Sequence, residues 1–352
     1  MIEKKPGNGV GGERSQKSKF GKVAYRTKLG RMHVGKIEDV LDVPSVSALR
    51  GQVNLIFTSP PFPLVSKKRY GNETGATYLK WLEALAPRLC DLLARDGSIV
   101  MEIGNSWEPG VPVMSTLGLE ALLAFKKAAN LHLSQQIICH NPARLPSPAQ
   151  WVNVNRERLK DSFTHVWWMS KTEHPKADNR RVLLPYSSHM KGLLKSQKYN
   201  SGTRPSGHVI SKSGFLKNHG GAIAPNVIEA DESAGQLPSA LMKFSGTSSD
   251  AKYQQYCAKL GLEAHPARMQ MGLATFFIEF LTQPGDTVFD PFGGSNTTGF
   301  AAESLKRQWV SVEAREDYAR GSRGRFLRAK EPTKKVVKSK SIKKYSRAGR
   351  HA

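Results

Sequence analysis

A short polar stretch at the end of an apolar run contains the first residues in this sequence that could do chemistry. In "NLIFTSPPFPL", from Asn54 to Leu64, the apolar start predicts a buried strand that ends in Thr58, Ser59, two prolines and an aromatic residue. Proline lacks a backbone donor and fixes φ, and the residue before a proline is pushed to an extended conformation. The stretch therefore predicts a stiff arm with one hydroxyl. An ordinary strand followed by a loop is the plainer interpretation, because short motifs also occur by chance.

A second polar stretch, "TVFDPFGGSNTTG", has the pattern of a strand that passes through a glycine-containing turn into a helix. We predict that the strand ends at Asp290, that the helix begins near Thr298 or Gly299, and that Gly293 and Gly294 let a ligand approach the backbone closely. The stretch matches neither GxGxxG nor the phosphate-binding pattern GxxxxGK[ST]. A tight strand–helix turn without a ligand is the alternative.

An acidic residue ends the next predicted strand. Glu313 closes "WVSVE", 23 positions after Asp290. In nucleoside-binding α/β folds, an acid about 20 residues after the glycine loop holds the ribose hydroxyls. A solvated carboxylate at a strand end is the alternative. The glycine loop, this acid and the missing phosphate-binding lysine together indicate a nucleoside ligand without phosphates, and S-adenosylmethionine fits that description.

The elements that must position these stretches alternate between strands and helices. In the first half we predict a strand and helix within 31–41, a strand over 53–58, a helix over 77–93, a strand over 97–104 and a helix over 117–131. In the second half we predict a helix over 271–282, a strand over 287–290, a helix over 300–305, a strand over 309–313 and a helix over 316–330. Such alternation implies parallel βαβ units in a doubly wound sheet.

Residues 139–262 break this rhythm and keep one clear strand near 165–171. Long irregular segments in compact domains are usually functional or disordered. The basic residues and scattered aromatics here favour a nucleic-acid surface. Candidate DNA contacts are Arg144, Arg156, Arg158, Lys191, Arg204, His208 and Lys212. For any single one of them, a solvated charge or a contact to phosphate alone is the plainer interpretation.

The charge balance also favours nucleic acid as the partner. The chain of 352 residues has 53 Lys and Arg against 29 Asp and Glu, a formal net charge of +24. Surfaces of this kind bind nucleic acids or anionic membranes. No stretch approaches the roughly 18–20 apolar residues of a membrane span, and the N-terminus lacks the apolar core of a secretory signal. Three separated cysteines indicate neither a disulfide framework nor a zinc site, so we expect a cytoplasmic protein without metal.

The two polar stretches resemble the motifs of the amino-group DNA methyltransferases. "TSPPF" is similar to the catalytic motif of that family, and "DPFGGSNTTG" is similar to its cofactor-binding motif. The catalytic motif comes first, a basic insert follows, and the cofactor motif comes last, an order that resembles the circularly permuted β group. The segments "LPSPAQWVNV", "DSFTHVWWMSKTEHPKAD", "TRPSGHVISKS" and "HPAR" resemble the PvuII-type group of N4-cytosine methyltransferases.

The resemblance covers roughly residues 30–328 and departs from the family pattern at two places. Family members often have Gly-Asp where this chain has Gly35-Lys36, so that Glu38 or Asp39 would have to replace the acid that approaches the cofactor adenine. Many members also have glycine where this chain has Asn296.

The resemblance implies a Rossmann-like, circularly permuted α/β fold of the S-adenosylmethionine-dependent methyltransferases with an inserted basic target-recognition region. The segments would be a disordered basic N-terminus (1–29), a catalytic half (30–138), a mainly target-recognition region (139–262), a cofactor-binding half (263–329) and a disordered basic tail (330–352). The tail would either aid solubility or anchor the chain on DNA.

The resemblance also implies which residues act. The catalytic residues would be Ser59, Pro60, Pro61 and Phe62. The S-adenosylmethionine-binding residues would be Asp290, Pro291, Phe292, Gly293, Gly294, Ser295, Thr297, Thr298, Glu313, His265 and Pro266. Asp290 and Ser59 are expected at the ends of neighbouring strands, where the strand order reverses and ligands bind.

The serine before the two prolines favours cytosine N4 as the methyl acceptor, since Asp or Asn there is typical of adenine N6 enzymes. The Ser59 hydroxyl and the Pro60 carbonyl would accept the two N–H bonds of the amine, and Phe62 would stack on a base taken out of the duplex. The alternatives are adenine N6 methylation and an inactive DNA-binding protein on the same fold. Protein glutamine methyltransferases typically carry Asn-Pro-Pro-Tyr and no large basic insert, so a protein substrate is disfavoured.

The expected partners follow from the same resemblance. They are double-stranded DNA with a CAGCTG-like site and, in a restriction-modification context, an endonuclease of the same specificity. We expect a monomer that binds no membrane.

Overall fold

Within the described residues, which are 21–62, 75–229 and 246–327, nine strands form one central sheet in this computed structural model. They are β1 (Lys22–Arg26), β2 (Gly30–Val34), β3 (Val53–Thr58), β4 (Leu93–Gly104), β5 (His132–His140), β6 (Phe163–Ser170), β9 (Val227–Glu229), β10 (Thr287–Asp290) and β11 (Gln308–Glu313). A separate two-stranded ribbon contains β7 (Gly202–Thr203) and β8 (Val209–Ile210).

The strand order of the central sheet places a switch point between β10 and β3. The order is β1-β2-β11-β10-β3-β4-β6-β5-β9. The five strands from β2 to β4 are parallel to one another, whereas β6 is antiparallel to both β4 and β5. From β10 the chain continues to β11 on one side, and from β3 it continues to β4 on the other. Ligands of open α/β sheets bind beyond the carboxyl ends of the strands at such a point.

Helices cover both faces of this sheet. They are α1 (Ile37–Val40), α2 (Pro44–Ser47), α3 (Gly75–Leu92), α4 (Leu117–Ala128), α5 (Ser188–Ser196), α6 (Gly246–Leu260), α7 (Met271–Leu281), α8 (Thr297–Ser304) and α9 (Glu316–Ser322). One apolar core joins the sheet to α1, α3 and α4, and the other joins it to α7, α8 and α9.

The alternation of side chains along β3 shows how one strand contributes side chains to both cores. Leu55 and Phe57 are fully buried in the core beside α7, while Ile56 between them is fully buried in the core beside α3. Successive side chains of a strand point to opposite faces, so a strand covered by helices on both faces is apolar at every position. The run "LIF" has this pattern, and the predicted mixed α/β fold is confirmed.

The structure differs from the sequence predictions at both chain ends. The segment predicted to be disordered, 1–29, contains β1, which pairs with β2 at the edge of the sheet. The helix predicted over 316–330 ends at Ser322, and a 3-10 turn follows at Arg323–Phe326. Residues 1–20 and the tail 330–352 lie outside the described residues.

One predicted segment boundary also falls inside an element. The boundary between residues 138 and 139 lies within β5. The region 139–262 was expected to be mainly irregular, but it contributes β9 to the central sheet and contains the 15-residue helix α6. α6 lies against α9 and the turn at 323–326, which belong to the predicted cofactor half. The use of 139–262 for target recognition stays a prediction. No helix in the described part of the chain is long and apolar enough to cross a membrane.

Candidate active site

A cleft of about 640 Å³ opens where β2, β3, β4, β10 and β11 end. Because parallel strands place their carboxyl ends at one edge of the sheet, the segments that follow them converge there. The cleft is lined by residues 35–38 after β2, 59–62 after β3, 290–298 except Asn296, and 313–314 at the end of β11. The two polar stretches singled out in the sequence therefore face the same cavity.

The Ser-Pro-Pro-Phe arm begins directly after β3. The half-buried Ser59 hydroxyl donates a hydrogen bond of 3.3 Å to the backbone carbonyl of Glu102 in β4. Because this bond uses the only O–H of Ser59, the oxygen lone pairs are left to accept hydrogen bonds from a molecule in the cleft. Pro60 is buried, and both prolines fix the backbone φ of the arm.

The ring of Phe62 lies on the backbone of Gly104, the last residue of β4. A Cβ added at Gly104 would lie 2.5 Å from Phe62 Cε2. Only glycine leaves room for the ring in this position. The place of Phe62 at the cleft is therefore set by the end of a neighbouring strand as well as by its own prolines.

Glu102 contributes a second polar group beside Ser59. Its carboxyl accepts a hydrogen bond of 2.9 Å from the Thr164 hydroxyl, and both residues line the cleft. Burial raises the pKa of the Glu102 carboxyl above its ordinary value. In the sequence, Glu102 is marked only by its place near the end of an apolar strand.

Asp290 lies at the switch point, at the end of the strand next to the one that carries Ser59. One of its oxygens, Oδ1, accepts hydrogen bonds from the Thr58 hydroxyl at 2.8 Å and from the Phe292 amide at 3.1 Å. The residue is 4% exposed, and burial raises the pKa of its carboxyl to about 6, against the opposing effect of the Thr58 bond. This carboxyl changes charge close to neutral pH.

The glycine turn after β10 is held by β11. The Gly293 amide donates to the Val312 carbonyl at 2.7 Å, and the Gly294 amide donates to Glu313 Oε2 at 2.9 Å. Gly294 has φ +49°, a left-handed conformation that favours glycine, and a Cβ there would lie 3.3 Å from His265 Nε2. The turn brings backbone, rather than side chains, to the wall of the cleft.

Asn296 occupies the position where the resemblance described above would often place glycine. It adopts φ +56°, a left-handed conformation that Asn tolerates better than most residues. Its side chain caps α8, accepting from the Gly299 amide at 3.2 Å and from the Ser311 hydroxyl at 2.7 Å, and donating to the Tyr25 hydroxyl at 2.9 Å. Asn296 is fully buried and does not line the cleft, so it stabilises the turn without contacting a molecule in the cleft.

Glu313 ends β11 with its carboxylate turned to the glycine turn. Besides Oε2 at Gly294, its Oε1 accepts from the Arg315 amide at 2.8 Å. The residue is largely buried, which raises the pKa of its carboxyl. Each carboxylate oxygen has two lone pairs, so both oxygens can still accept from a ligand hydroxyl.

A buried arginine that the sequence did not single out supports the turn. Arg325 donates to the Ser295 carbonyl at 2.7 Å and to the Ser295 hydroxyl at 3.0 Å, and it pairs with Asp250 at 2.5 Å. Its side chain is fully buried. Asp250 also pairs with Arg268, which lines the cleft. The pairing partner lies 75 positions away on α6, which no local pattern could have indicated.

The part of the cleft next to α1 is lined by two aromatic rings, one acid and Lys36. The Trp81 indole N–H donates to Glu38 Oε1 at 2.5 Å, and the Trp81 and Phe292 rings lie 5.6 Å apart. Glu38 lines the cleft, whereas Asp39 is exposed and does not. Of the two acids that the sequence left open for the cofactor adenine, Glu38 alone is placed to contact a ligand.

The structure brings together most of the predicted site residues. The four predicted catalytic residues line the cleft, and so do the predicted cofactor-binding residues apart from Pro266, which is exposed and lies outside it. His265 lines the cleft with its ring edge-on to Tyr318, and burial lowers the pKa of its imidazole. The roles of these residues stay predictions.

The predicted DNA contacts form two groups, neither of which lines the cleft. Arg144, Arg156 and Arg158 lie in the segment that joins β5 to β6. Arg204, His208 and Lys212 lie at the ribbon of β7 and β8, and Lys191 lies in α5. Arg204 and His208 close the turn of the ribbon through a backbone bond of 2.8 Å.

Comparison with known protein families decides what kind of protein this is. The family described as DNA methylase (N6_N4_Mtase) matches residues 53–323, which span both the Ser59 arm and the Asp290 turn. This chain belongs to the DNA methylase family.

One curated relative and one solved structure cover most of the length of this DNA methylase. It is 40% identical over 312 residues to the type II methyltransferase M.PvuII of Proteus hauseri, covering 88% of this chain and 87% of that protein. The solved structure of the PvuII DNA methyltransferase (cytosine-N4-specific) superposes with a TM-score of 0.66 at 33% identity, covering 89% of this chain and 92% of that one. A shorter match, 33% identical over 82 residues, is to the type II methyltransferase M2.MboI of Moraxella bovis, covering 23% of this chain and 30% of that protein.

Proposed function

We propose that this DNA methylase transfers a methyl group from S-adenosylmethionine to the exocyclic N4 amine of cytosine in double-stranded DNA, as the modification enzyme of a restriction-modification system. The observation that carries the proposal is the meeting of the Ser59 arm and the Asp290 turn at one cleft. The similarity to M.PvuII and to a cytosine-N4-specific enzyme over almost the whole chain supports the choice of base and atom.

The cleft fits S-adenosylmethionine better than a nucleotide. Two buried acids, Asp290 and Glu313, face the space around the glycine turn, and they would repel phosphates. The same acids suit a ligand that carries ribose hydroxyls and positive charge. Glu313 would hold the ribose hydroxyls, and 290–298 would surround the methionine part. When bound, the cofactor supplies an electrophilic methyl group on a positively charged sulfur.

The adenine of the cofactor would occupy the part of the cleft next to α1. Phe292 and Trp81 would flank the ring, and the Glu38 carboxylate would accept from its exocyclic amine. Trp81 holds Glu38 through its indole N–H, so that one carboxylate oxygen is fixed and the other is left for the ligand.

Ser59 and Pro60 would prepare the amine of the base for attack. An exocyclic amine on cytosine is a poor nucleophile because its lone pair is delocalised into the ring. The Ser59 oxygen, whose own proton is bonded to the Glu102 carbonyl, accepts one N–H bond, and the Pro60 carbonyl accepts the other. Two fixed acceptors favour a tetrahedral nitrogen with its lone pair directed at the methyl donor. The proton released after transfer passes to water, since a methylated cytosine amine is a weak base.

The target base must leave the duplex to reach these acceptors. Phe62, held against Gly104, offers its ring as a stacking surface for the extruded base. The basic segment 139–262 would bind the flanking DNA, and neutralising about 6–10 phosphates would make binding fall steeply with salt. We expect a monomer that acts beside an endonuclease of the same specificity.

Nucleoside mass spectrometry tests this proposal directly. Purified protein is incubated with S-adenosylmethionine and unmethylated duplexes that do or do not carry CAGCTG, and the DNA is then digested to nucleosides. N4-methylcytosine is the expected product. If N6-methyladenine forms instead, the proposed fold and cofactor stand, but the target base is adenine rather than cytosine. If no modified base forms on any DNA while S-adenosylmethionine binds in calorimetry, the protein is a DNA-binding member of the family rather than a methyltransferase.

A further inference from the structure

The segment that joins β5 to β6, residues 141–162, is fastened to the edge of the sheet at which the cleft opens. The Asn105 side chain donates to Asp161 Oδ1 at 2.7 Å, and Arg144 pairs with Asp161 at 3.3 Å. Asn105 directly follows Gly104, on which the ring of Phe62 lies. A short chain of contacts therefore connects this segment to the residue proposed to stack on the target base.

Leu159 in this segment is 91% exposed. A leucine this exposed is not stabilised by burial in the core. A single exposed leucine on a mobile chain end would not by itself indicate a function. Its neighbours, however, are held: Arg158 lies over the Trp107 ring at 3.7 Å and donates to the Pro112 carbonyl at 2.9 Å. Lys160 donates to the Pro142 carbonyl at 2.8 Å. The side chains on both sides of Leu159 are therefore held by contacts within the fold, while the leucine side chain itself is exposed.

Positive charges outnumber negative ones around Leu159, since Arg156, Arg158 and Lys160 stand beside Glu157 and Asp161. A depression of about 360 Å³ next to it is lined by Val152, Asn153, Arg156 and Arg158. Leu159 also lies two residues from Asp161, a span of at most about 7 Å along the chain. An exposed leucine among arginines beside a base-binding cleft suits a duplex whose backbone contacts the arginines and whose base stack receives the apolar side chain.

We propose that Leu159 is the wedge that enters the DNA base stack and occupies the space left by the extruded target cytosine. The inference rests on the proposed function. Extruding a paired base costs a few kcal/mol, and an apolar side chain in the vacated position lowers the cost of the extruded state. Leu159 takes no part in the methyl transfer itself, and its contribution is confined to substrates whose target base must first be unpaired.

Comparison of paired and unpaired targets tests this role. Single-turnover methylation is measured for the protein and for Leu159→Ala on a duplex with cytosine opposite guanine, and on the same duplex with cytosine opposite an abasic site. Leu159→Ala is expected to lower the rate on the paired duplex by about tenfold, equivalent to about 1.4 kcal/mol. On the unpaired duplex the rate should stay within about twofold, because the extrusion has already been achieved.

A second measurement follows extrusion without chemistry. A duplex with 2-aminopurine at the target position gains fluorescence when the base leaves the stack, and Leu159→Ala should reduce that gain at saturating protein. Leu123→Ala is the matched control, since Leu123 is 64% exposed on α4 and lies outside the segment. Equal losses on both duplexes, or no loss on either, would overturn the wedge assignment. A further outcome is that the native protein binds and extrudes the base in a way that depends on Leu159 and yet methylates neither duplex. That result would reject the proposed function but support the role of Leu159 as the wedge.

Discussion

The Thr58 hydroxyl donates a 2.8 Å hydrogen bond to the Asp290 carboxylate, joining the last residue of β3 to the last residue of β10. These residues are 232 positions apart in the chain. The bond crosses the switch point of the sheet, with the proposed catalytic arm starting one residue after Thr58 and the proposed cofactor turn starting one residue after Asp290. Methyl donor and methyl acceptor would therefore be aligned by two neighbouring parallel strands of the central sheet.

The charge of Asp290 should control cofactor affinity. Its pKa is raised to about 6 by burial, so the carboxyl is largely protonated at pH 5 and largely ionised at pH 7. Because S-adenosylmethionine is cationic, we expect its affinity to strengthen as pH rises through about 6 and to level off above 7. Thr58→Val removes a donor to the ionised form and should move this midpoint upward by about one pH unit. Calorimetric titrations between pH 5 and 8 would measure both effects.

The same raised pKa predicts how the stability of the free protein depends on pH. The folded state holds the Asp290 proton more tightly than the unfolded chain, whose carboxyl has an ordinary pKa of 3.8. The contribution of Asp290 to the free energy of unfolding therefore falls as pH rises from about 4 to about 6 and is then constant. Asp290→Asn, which cannot ionise, should remove that contribution and flatten the affinity profile. A native profile without a midpoint between pH 5 and 7 would contradict this account.

Ser59→Ala should separate catalysis from cofactor binding. The variant loses one of the two acceptors for the amine, and losing one fixed hydrogen-bonding group at the reacting centre costs on the order of 10²–10³-fold in rate. The Kd for S-adenosylmethionine should stay within about twofold, because Ser59 lies on the base side of the cleft. Single-turnover kinetics measure the methylation rate, and calorimetry measures the Kd for S-adenosylmethionine. Ser47→Ala, at a half-buried serine of α2 that does not line the cleft, serves as the control, and a fully active Ser59→Ala would remove Ser59 from the mechanism.

The strand ends that carry the site were predictable because their signals are local. The apolar run before Thr58 and the run "TVFD" before Asp290 each mark a buried strand, and proline or glycine marks where each one stops. β5 was missed because its first five residues are exposed, so "HLSQQ" shows no buried face. β1 was missed because it is a short edge strand that follows a segment rich in glycine and lysine.

The supports behind the site could not be predicted from local patterns. Arg325 is one of several arginines in "RGSRGRFLR", and nothing in the sequence distinguishes it as the one that is buried. Its partners Ser295 and Asp250 lie 30 and 75 positions away and on different elements. The contact of Phe62 with Gly104 likewise depends on the pairing of β3 with β4. Such relationships exist only once the sheet has formed.

Arg325→Met should weaken both the fold and the cofactor site. The substitution leaves the Ser295 carbonyl without its arginine donor and removes one of the two arginines that pair with Asp250, leaving Arg268. Breaking a buried ion pair costs about 3–5 kcal/mol, and the lower end applies here because Asp250 is 35% exposed and can be hydrated. We expect a loss of about 3 kcal/mol in urea unfolding and weaker S-adenosylmethionine binding. Arg320→Met, at an exposed position of α9, should change neither, and equal stability of the two variants would contradict the assignment.

Glu38→Gln should weaken S-adenosylmethionine binding, whereas Asp39→Asn should not. Glu38 is held by Trp81 in the part of the cleft next to α1, while Asp39 faces solvent. Losing the charge of an acceptor that binds an amine costs about 1–1.5 kcal/mol, or about tenfold in Kd. An S-adenosylhomocysteine analogue with an oxo group in place of the adenine amine extends the test. It should bind the native protein more weakly than S-adenosylhomocysteine does, and Glu38→Gln should lose this discrimination. Equal effects of Glu38→Gln and Asp39→Asn would leave Glu38 without the proposed contact.

Gly104→Ala should impair methyl transfer through Phe62 without touching the reacting atoms. The added methyl group would lie 2.5 Å from Phe62 Cε2, so the ring must move away from the end of β4. Since the proposed role of the ring is to stack on the extruded base, we expect the rate at saturating DNA to fall by about tenfold, consistent with losing about 1–3 kcal/mol of stacking. The affinity for S-adenosylmethionine should be retained.

Gly118→Ala is the matched control for Gly104→Ala, because it adds the same methyl group in α4, where the nearest atom, Ile103 Cγ2, lies 3.7 Å away. Alanine is also the better helix former, so this control should be as stable as the native protein or slightly more so. The target cytosine opposite an abasic site adds a further distinction. Gly104→Ala should remain impaired on that duplex, since stacking on Phe62 is needed after extrusion, whereas Leu159→Ala should not. If the unpaired target restores Gly104→Ala to the native rate, Phe62 acts in extrusion rather than in holding the base beside Ser59.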